Sequence, residues 1–62
     1  SMRKKELFMK KGAIVRANGK LGVITKMDEN NINGVDYVYY IRVRLSGEKY
    51  SRTYHPNDIE QA

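Results

Sequence analysis

The sequence predicts a small all-β domain, and three observations carry that prediction. Asn18-Gly19 sits between the apolar runs Ala13-Ile14-Val15 and Leu21-Gly22-Val23-Ile24. Asn and Gly accept the positive φ that both central residues of a type I′ hairpin turn require. From Tyr37 to Leu45 the chain alternates strictly, with Tyr37, Tyr39, Ile41, Val43 and Leu45 on one face. Val38, Tyr40, Arg42 and Arg44 take the other face, the pattern of a strand buried on one side. Finally, each of the five glycines falls at a strand boundary or a bend, and the single proline follows the last apolar-aromatic run.

Taken in order, residues 2–11 carry Leu7, Phe8 and Met9 in a basic setting. Two readings stand for them: one or two helical turns that pack Phe8 across the open end of the fold, or a leader with Met9 as the true start. So short a helix is marginal alone. Ser1 ahead of Met2 reads as an appended residue. Gly12 to Ala17 is the first strand and Leu21 to Met27 the second. Residues 28–34 are dense in turn formers and read as an exposed loop. Tyr37 to Leu45 is the third strand, Ser46-Gly47-Glu48 turns the chain, and Lys49 to Tyr54 returns as the fourth. Pro56 cannot donate to a ladder, so the fourth strand ends near His55. Pro56-Asn57-Asp58 forms a turn of 3₁₀ helix, and Ile59 opens a short last strand. A flat sheet of this size would leave a hydrophobic face wet, so five short strands curl into a small barrel over residues 12–62. Residues 1–11 form a basic extension.

Composition bounds the chemistry. Sixty-two residues make one domain at most, near the lower limit for a self-sufficient core. With no cysteine there is neither a disulfide framework nor a thiolate metal site, and a single histidine cannot supply a zinc centre. No cofactor or metal is expected. No apolar run of about twenty residues exists, so a membrane span is not expected, and the cysteine-free composition is compatible with a cytoplasmic location. Heavy use of Lys, Asn and Ile suggests a prokaryotic or phage source.

The charge is lopsided. Eight Lys and Arg residues face Glu6 alone before Met27, whereas four face six acids after it. A basic half favours polyanions such as nucleic acid, although lysine-rich surfaces also serve solubility alone.

The succession of motifs resembles the SH3-like barrels, and within them the KOW and Tudor-type modules. Lys11-Gly12-Ala13-Ile14-Val15-Arg16 is similar to their lysine-glycine opening, and Gly22-Val23-Ile24-Thr25-Lys26-Met27 to the glycine-led second strand of a KOW motif. Tyr40 to Leu45 resembles the central strand, and Tyr54-His55-Pro56-Asn57-Asp58-Ile59-Glu60 the closing segment. Ala13 departs from the acidic residue common at that place, and the 28–36 segment is longer than a minimal KOW turn. The resemblance implies an SH3-like five-stranded fold more strongly than any function.

Three constellations have chemical potential. Tyr40, Arg42 and Arg44 point away from the predicted core; should the row Tyr50, Arg52, Tyr54 also face outward, arginines and tyrosines would stand side by side. Arginine pairs with phosphate and tyrosine stacks on bases, yet such cross-strand pairs also stabilise a two-stranded ribbon without a ligand. The expected nucleic-acid contacts are Lys10, Lys11, Arg16, Lys20 and Lys26 along a basic edge, with Tyr40, Arg42, Arg44 and Arg52 on the sheet. Second, Tyr37, Tyr39, Tyr40, Tyr50 and Tyr54, with Asp36 or Glu48, would suit a Tudor-like cage for a methylated cation. Third, His55 has only Asp58 nearby and reads as a cap rather than an acid–base group. An enzyme is not expected. Plasmid-type dihydrofolate reductases are SH3-like barrels of this size that build one pore from four copies, but Arg52-Thr53-Tyr54 stands where their pore-lining glutamine-isoleucine-tyrosine strip would be. The sequence therefore points to a non-enzymatic binding module for nucleic acid (DNA or RNA), with a protein-interaction module or homodimer as the alternative.

Overall fold

The computed structural model describes residues 9–62, and the described chain is all-β. Five strands form one antiparallel sheet: β1 (Ile14–Ala17), β2 (Lys20–Ile32), β3 (Val35–Leu45), β4 (Arg52–Tyr54) and β5 (Ile59–Gln61). A 3₁₀ turn over Pro56–Asp58 links the last two. The spatial order is β4-β3-β2-β1-β5, so the chain meanders through four strands and returns to pair its end with β1. Among the described residues β4 and β5 are unpaired on their outer edges, and the sheet is open rather than closed. The helical turns expected within residues 2–11 fall mainly on residues 1–8, outside the described residues; Lys10 to Ala13 forms a turn closed by the Ala13 amide on the Lys10 carbonyl at 3.0 Å.

The two hairpins rest on the same dipeptide. Asn18 and Gly19 have φ of 55° and 75°, and Asn33 and Gly34 have φ of 53° and 81°. Both turns thus place two successive residues in the left-handed region, the requirement of a two-residue type I′ connection. The first joins β1 to β2 with Ala17 opposite Lys20. The second joins β2 to β3 with Ile32 opposite Val35. Residues 28–32, expected in a loop, therefore continue β2, and β3 begins two residues earlier than expected. Asn and Asp are poor strand formers, but here the ladder and local bonds override propensity. Asn31 Nδ2 donates to Asp36 Oδ1 at 2.8 Å, and the Gly34 amide donates to Asn31 Oδ1 at 3.1 Å.

The inner face of the sheet forms the core. Val15, Ala17, Ile24, Ile41, Val43, Leu45 and Ile59 are buried on it, and Met9 joins them from the N-terminal side. Cross-strand register stacks Ile24 against Val43 and Met27 against Ile41. On the same face Gly22 lies between Val15 on β1 and Leu45 on β3. A Cβ there would stand 2.7 Å from Val43 Cγ1 and 2.8 Å from the Arg44 carbonyl oxygen. Only glycine lets β2 approach β3 this closely.

Two irregularities re-aim the central strands. Thr25 is an extra residue on β2, between the pairs Ile24–Val43 and Lys26–Arg42. Tyr39 is an extra residue on β3, between Asp28–Tyr40 and Glu29–Val38. Each is a β-bulge, which leaves one residue unpaired and increases local twist. The Tyr39 bulge reverses the face assignment below it. Val38 packs against the core, whereas Tyr37, expected to point inward with Ile41, is 48% exposed.

The fourth strand is also shorter than expected. Lys49 and Tyr50 lie in the connection ahead of it, and Ser51 Oγ lies 2.7 Å from Thr25 Oγ1, tying that connection to the β2 bulge. Beyond β4, His55 Nδ1 accepts the Asn57 amide at 3.0 Å and the His55 carbonyl accepts the Asp58 amide at 2.9 Å. His55 thus caps the 3₁₀ turn that delivers the buried Ile59 to β5. Gly22→Ala should lower the stability to urea unfolding by about 1–3 kcal/mol, since a rigid carbonyl must move to admit the methyl group.

Candidate functional site

Side chains of directly opposed residues in an antiparallel ladder share a face, so the register assigns every residue of the outer surface. On the body of the sheet that surface carries Ile14 beside Val23 beside Arg44, and Lys26 beside Arg42 beside Thr53. Farther along the β2–β3 hairpin it carries Asp28 beside Tyr40, Asn30 beside Tyr37, and Ile32 beside Val35.

Lys26 and Arg42 are direct cross-strand neighbours of like charge, and Arg44 follows two residues later on the same side of β3. The only acid bound within this group, among the described residues, is Asp28, whose Oδ1 lies 3.6 Å from Lys26 Nζ. Both side chains of that pair are widely exposed, so the contact is worth little in solvent. The turn bearing Lys10 and Lys11 lies alongside. The Gly12 amide donates to the Ile24 carbonyl at 2.8 Å, and the Ile24 amide to the Ala13 carbonyl at 3.0 Å. Those bonds carry the ladder past β1 and set the turn next to the Ile24–Lys26 stretch of β2. Lys26, Arg42 and Arg44 are thus brought together, with Tyr40 on the same outer face, and the exposed Lys10 and Lys11 lie in the turn whose backbone adjoins Ile24.

The remaining expected contacts are not part of this group. Arg16 faces outward, but its register partners are Leu21 and Glu60, so an acid stands opposite it. Lys20 lies beside the Asn18-Gly19 turn opposite the buried Ala17, on the parity of the inner face. Arg52 pairs with Val43 and Tyr54 with Ile41, which puts that row on the core side at the sheet margin. Arg52 and Tyr54 therefore do not extend the outer row, Tyr50 lies outside the ladder, and Thr53 is the outward neighbour of Arg42. Arg52 is instead engaged through its Nε with Glu48 Oε1 at 2.8 Å.

The tyrosines divide in the same way. Tyr54 is half-buried against the core, Tyr37 and Tyr40 face out on the hairpin, and Tyr50 projects from the connection with Lys49 Nζ 5.8 Å from its ring centre. Tyr54 and Tyr40 lie on opposite faces of the sheet, so these two rings do not share a cage. Sequence reasoning placed Tyr37 in the core and left Ile32 and Val35 without a role. Asn33-Gly34, the same dipeptide as in the first turn, was the signal for the longer hairpin.

A shallow apolar groove runs over Ile14, Leu21 and Val23, with Arg44 and Glu48 at its rim. A polar one is lined by Asn18, Tyr54, Asn57, Asp58 and Glu60. No group of three or more His, Cys, Asp or Glu residues that could hold a metal ion occurs among the described residues. No helix among them is long and apolar enough to cross a membrane.

No protein-family model matches the chain, and no curated protein or solved structure matches it either.

Like charges directly opposed on a sheet are destabilising by a few tenths of a kcal/mol to about 1 kcal/mol. Replacing Arg42 by Thr should therefore stabilise the protein by about that amount at low ionic strength. The gain, read from urea midpoints, should shrink as salt is added.

Proposed function

We propose that this chain is a non-enzymatic module of SH3-like small-barrel type that binds nucleic acid through the outer face of its sheet. The β4-β3-β2-β1-β5 order, with a 3₁₀ turn ahead of a last strand paired to β1, supports the SH3-like reading. The observation that carries the ligand is the Lys26–Arg42 pair, two exposed cations opposed on neighbouring strands with Arg44 beside them. Two like charges directly opposed on a sheet oppose folding slightly. A chain of phosphates offsets the repulsion and gains further from release of its own counterions.

Contacts of this kind fix position on a backbone and read little sequence. Lys10, Lys11, Lys26, Arg42 and Arg44 are assigned as the phosphate contacts. Arg16 and Lys20 lie at the margin, and Arg52 contributes least because Glu48 holds its Nε.

A second reading has its own support in the groove over Ile14, Leu21 and Val23, where Ile14 and Leu21 are exposed. Burial of this groove against a second copy would make the module an oligomerisation unit. Molar mass from sedimentation equilibrium separates the two: a stable dimer lost on Leu21→Glu favours this one.

Fluorescence anisotropy with labelled oligonucleotides at two salt concentrations tests the first reading. Neutralising five phosphates predicts a log–log slope of affinity against salt of roughly −3.5 to −4.5, and Arg42→Ala should reduce its magnitude by about 1. Absence of binding at low salt and micromolar protein would overturn it.

A further inference from the structure

We infer that the ligand of the outer face is single-stranded nucleic acid, with successive bases stacked on Tyr37 and Tyr40; this rests on the nucleic-acid reading above. The Tyr39 bulge is what creates the pair. Without it, regular alternation would send Tyr37 to the core side and leave Tyr40 alone outside. With it, Tyr40 stands opposite Asp28 and Tyr37 opposite Asn30, two residues apart on the unbulged stretch of β2. Both rings therefore project from one face, at 53% and 48% exposure.

Their spacing selects the ligand. Two residues along a strand span about 6.6–6.8 Å, close to twice the roughly 3.4 Å rise per nucleotide of a duplex strand. Bases within a duplex are also covered on both faces by their neighbours. An extended strand with bases splayed apart has free faces to offer and the reach to meet both rings. Tyrosine stacking of this kind is indifferent to base identity.

Charge makes the track continuous. From Tyr40 the next outward position on β3 is Arg42, with Lys26 opposite, and then Arg44. A strand lying along β3 would thus pass from two aromatic platforms on the hairpin to a trio of cations on the body. The far end of the hairpin adds Ile32 and Val35, both exposed on the same face. Unlike the aromatic pair, these offer apolar contact only.

The test measures affinities for oligothymidylate, for a duplex of the same length, and for an abasic deoxyribose-phosphate strand. Phosphates alone favour the duplex, whose charge density is higher. Tighter binding of oligothymidylate than of either other probe is the expected result. Tyr37→Ala and Tyr40→Ala should each weaken oligothymidylate binding about 5- to 100-fold and leave duplex and abasic binding unchanged. Tyr40→Phe should retain the affinity, because the ring and not the hydroxyl stacks. Both tyrosines are exposed, and a urea titration of each variant confirms that the fold survives. Binding of the duplex as tightly as oligothymidylate or more tightly, indifferent to the tyrosines, would overturn this inference while leaving the phosphate-binding reading intact. Binding of none of them at low salt would overturn both, as would a dimer that shields Tyr37 and Tyr40 from acrylamide quenching and binds no probe.

Discussion

At Gly22 the second strand passes so close to the third that even a methyl group would meet the Arg44 carbonyl oxygen. That approach sets the geometry of the whole sheet. β2 is the strand to which both β1 and β3 pair, so its path fixes where Val15 and Leu45 converge on the inner face. Once they do, Ile24, Ile41, Val43 and Ile59 close the space with almost no exposed surface. A protein of this size has little core to spare. One added carbon at its narrowest point would displace several of the side chains that exclude water.

The same central strands extend beyond the core, and two bulges govern what they present there. The extra residue Thr25 bends β2 where the body ends and is held by Ser51 from the β3–β4 connection. The extra residue Tyr39 changes parity on β3, so the distal ladder turns Val38 toward the core and Tyr37 away from it. The described residues extend 39 Å by 20 Å by 17 Å, with β2 of 13 residues and β3 of 11 as the longest elements. The long hairpin has a polar face bearing Glu29, Asn31 and Asp36, and an aromatic-aliphatic face bearing Tyr37, Tyr40, Ile32 and Val35. A two-stranded ribbon is marginally stable alone, and here the bonds between Asn31, Asp36 and Gly34 brace its tip.

Electrostatics then separate the cations held by acids from those left exposed on one face. Twelve basic residues give the chain a net charge of +5, but position decides their use. Arg52 is held by Glu48, and Arg16 stands opposite Glu60. Lys26, Arg42 and Arg44 share one exposed face with Asp28 as their single bound acid among the described residues. Repulsion within this trio is small in water, so folding tolerates it; on the proposed reading, this is the field a polyanion would meet.

The local turn and pattern signals were readable from the residues alone. Asn18-Gly19 specified the first hairpin because few other dipeptides accept two successive positive φ angles. The alternation from Ile41 to Leu45 specified the inner and outer faces of the body, and with them the outward placement of Arg42 and Arg44. His55-Pro56 announced the 3₁₀ turn, and Ile59 the buried start of the last strand. The hairpin tip was less legible. Asn and Asp at 28–31 oppose strand formation by themselves, and only a ladder to residues 35–40 stabilises them there. The parity of Tyr37, the isolation of Arg52 and the pairing of the two exposed rings were decided by tertiary structure. Arg52 is set apart by its pairing with Val43 and its contact with Glu48; the other two depend on a one-residue insertion in register, which leaves no mark in composition or periodicity because it arises from how two distant strands fit.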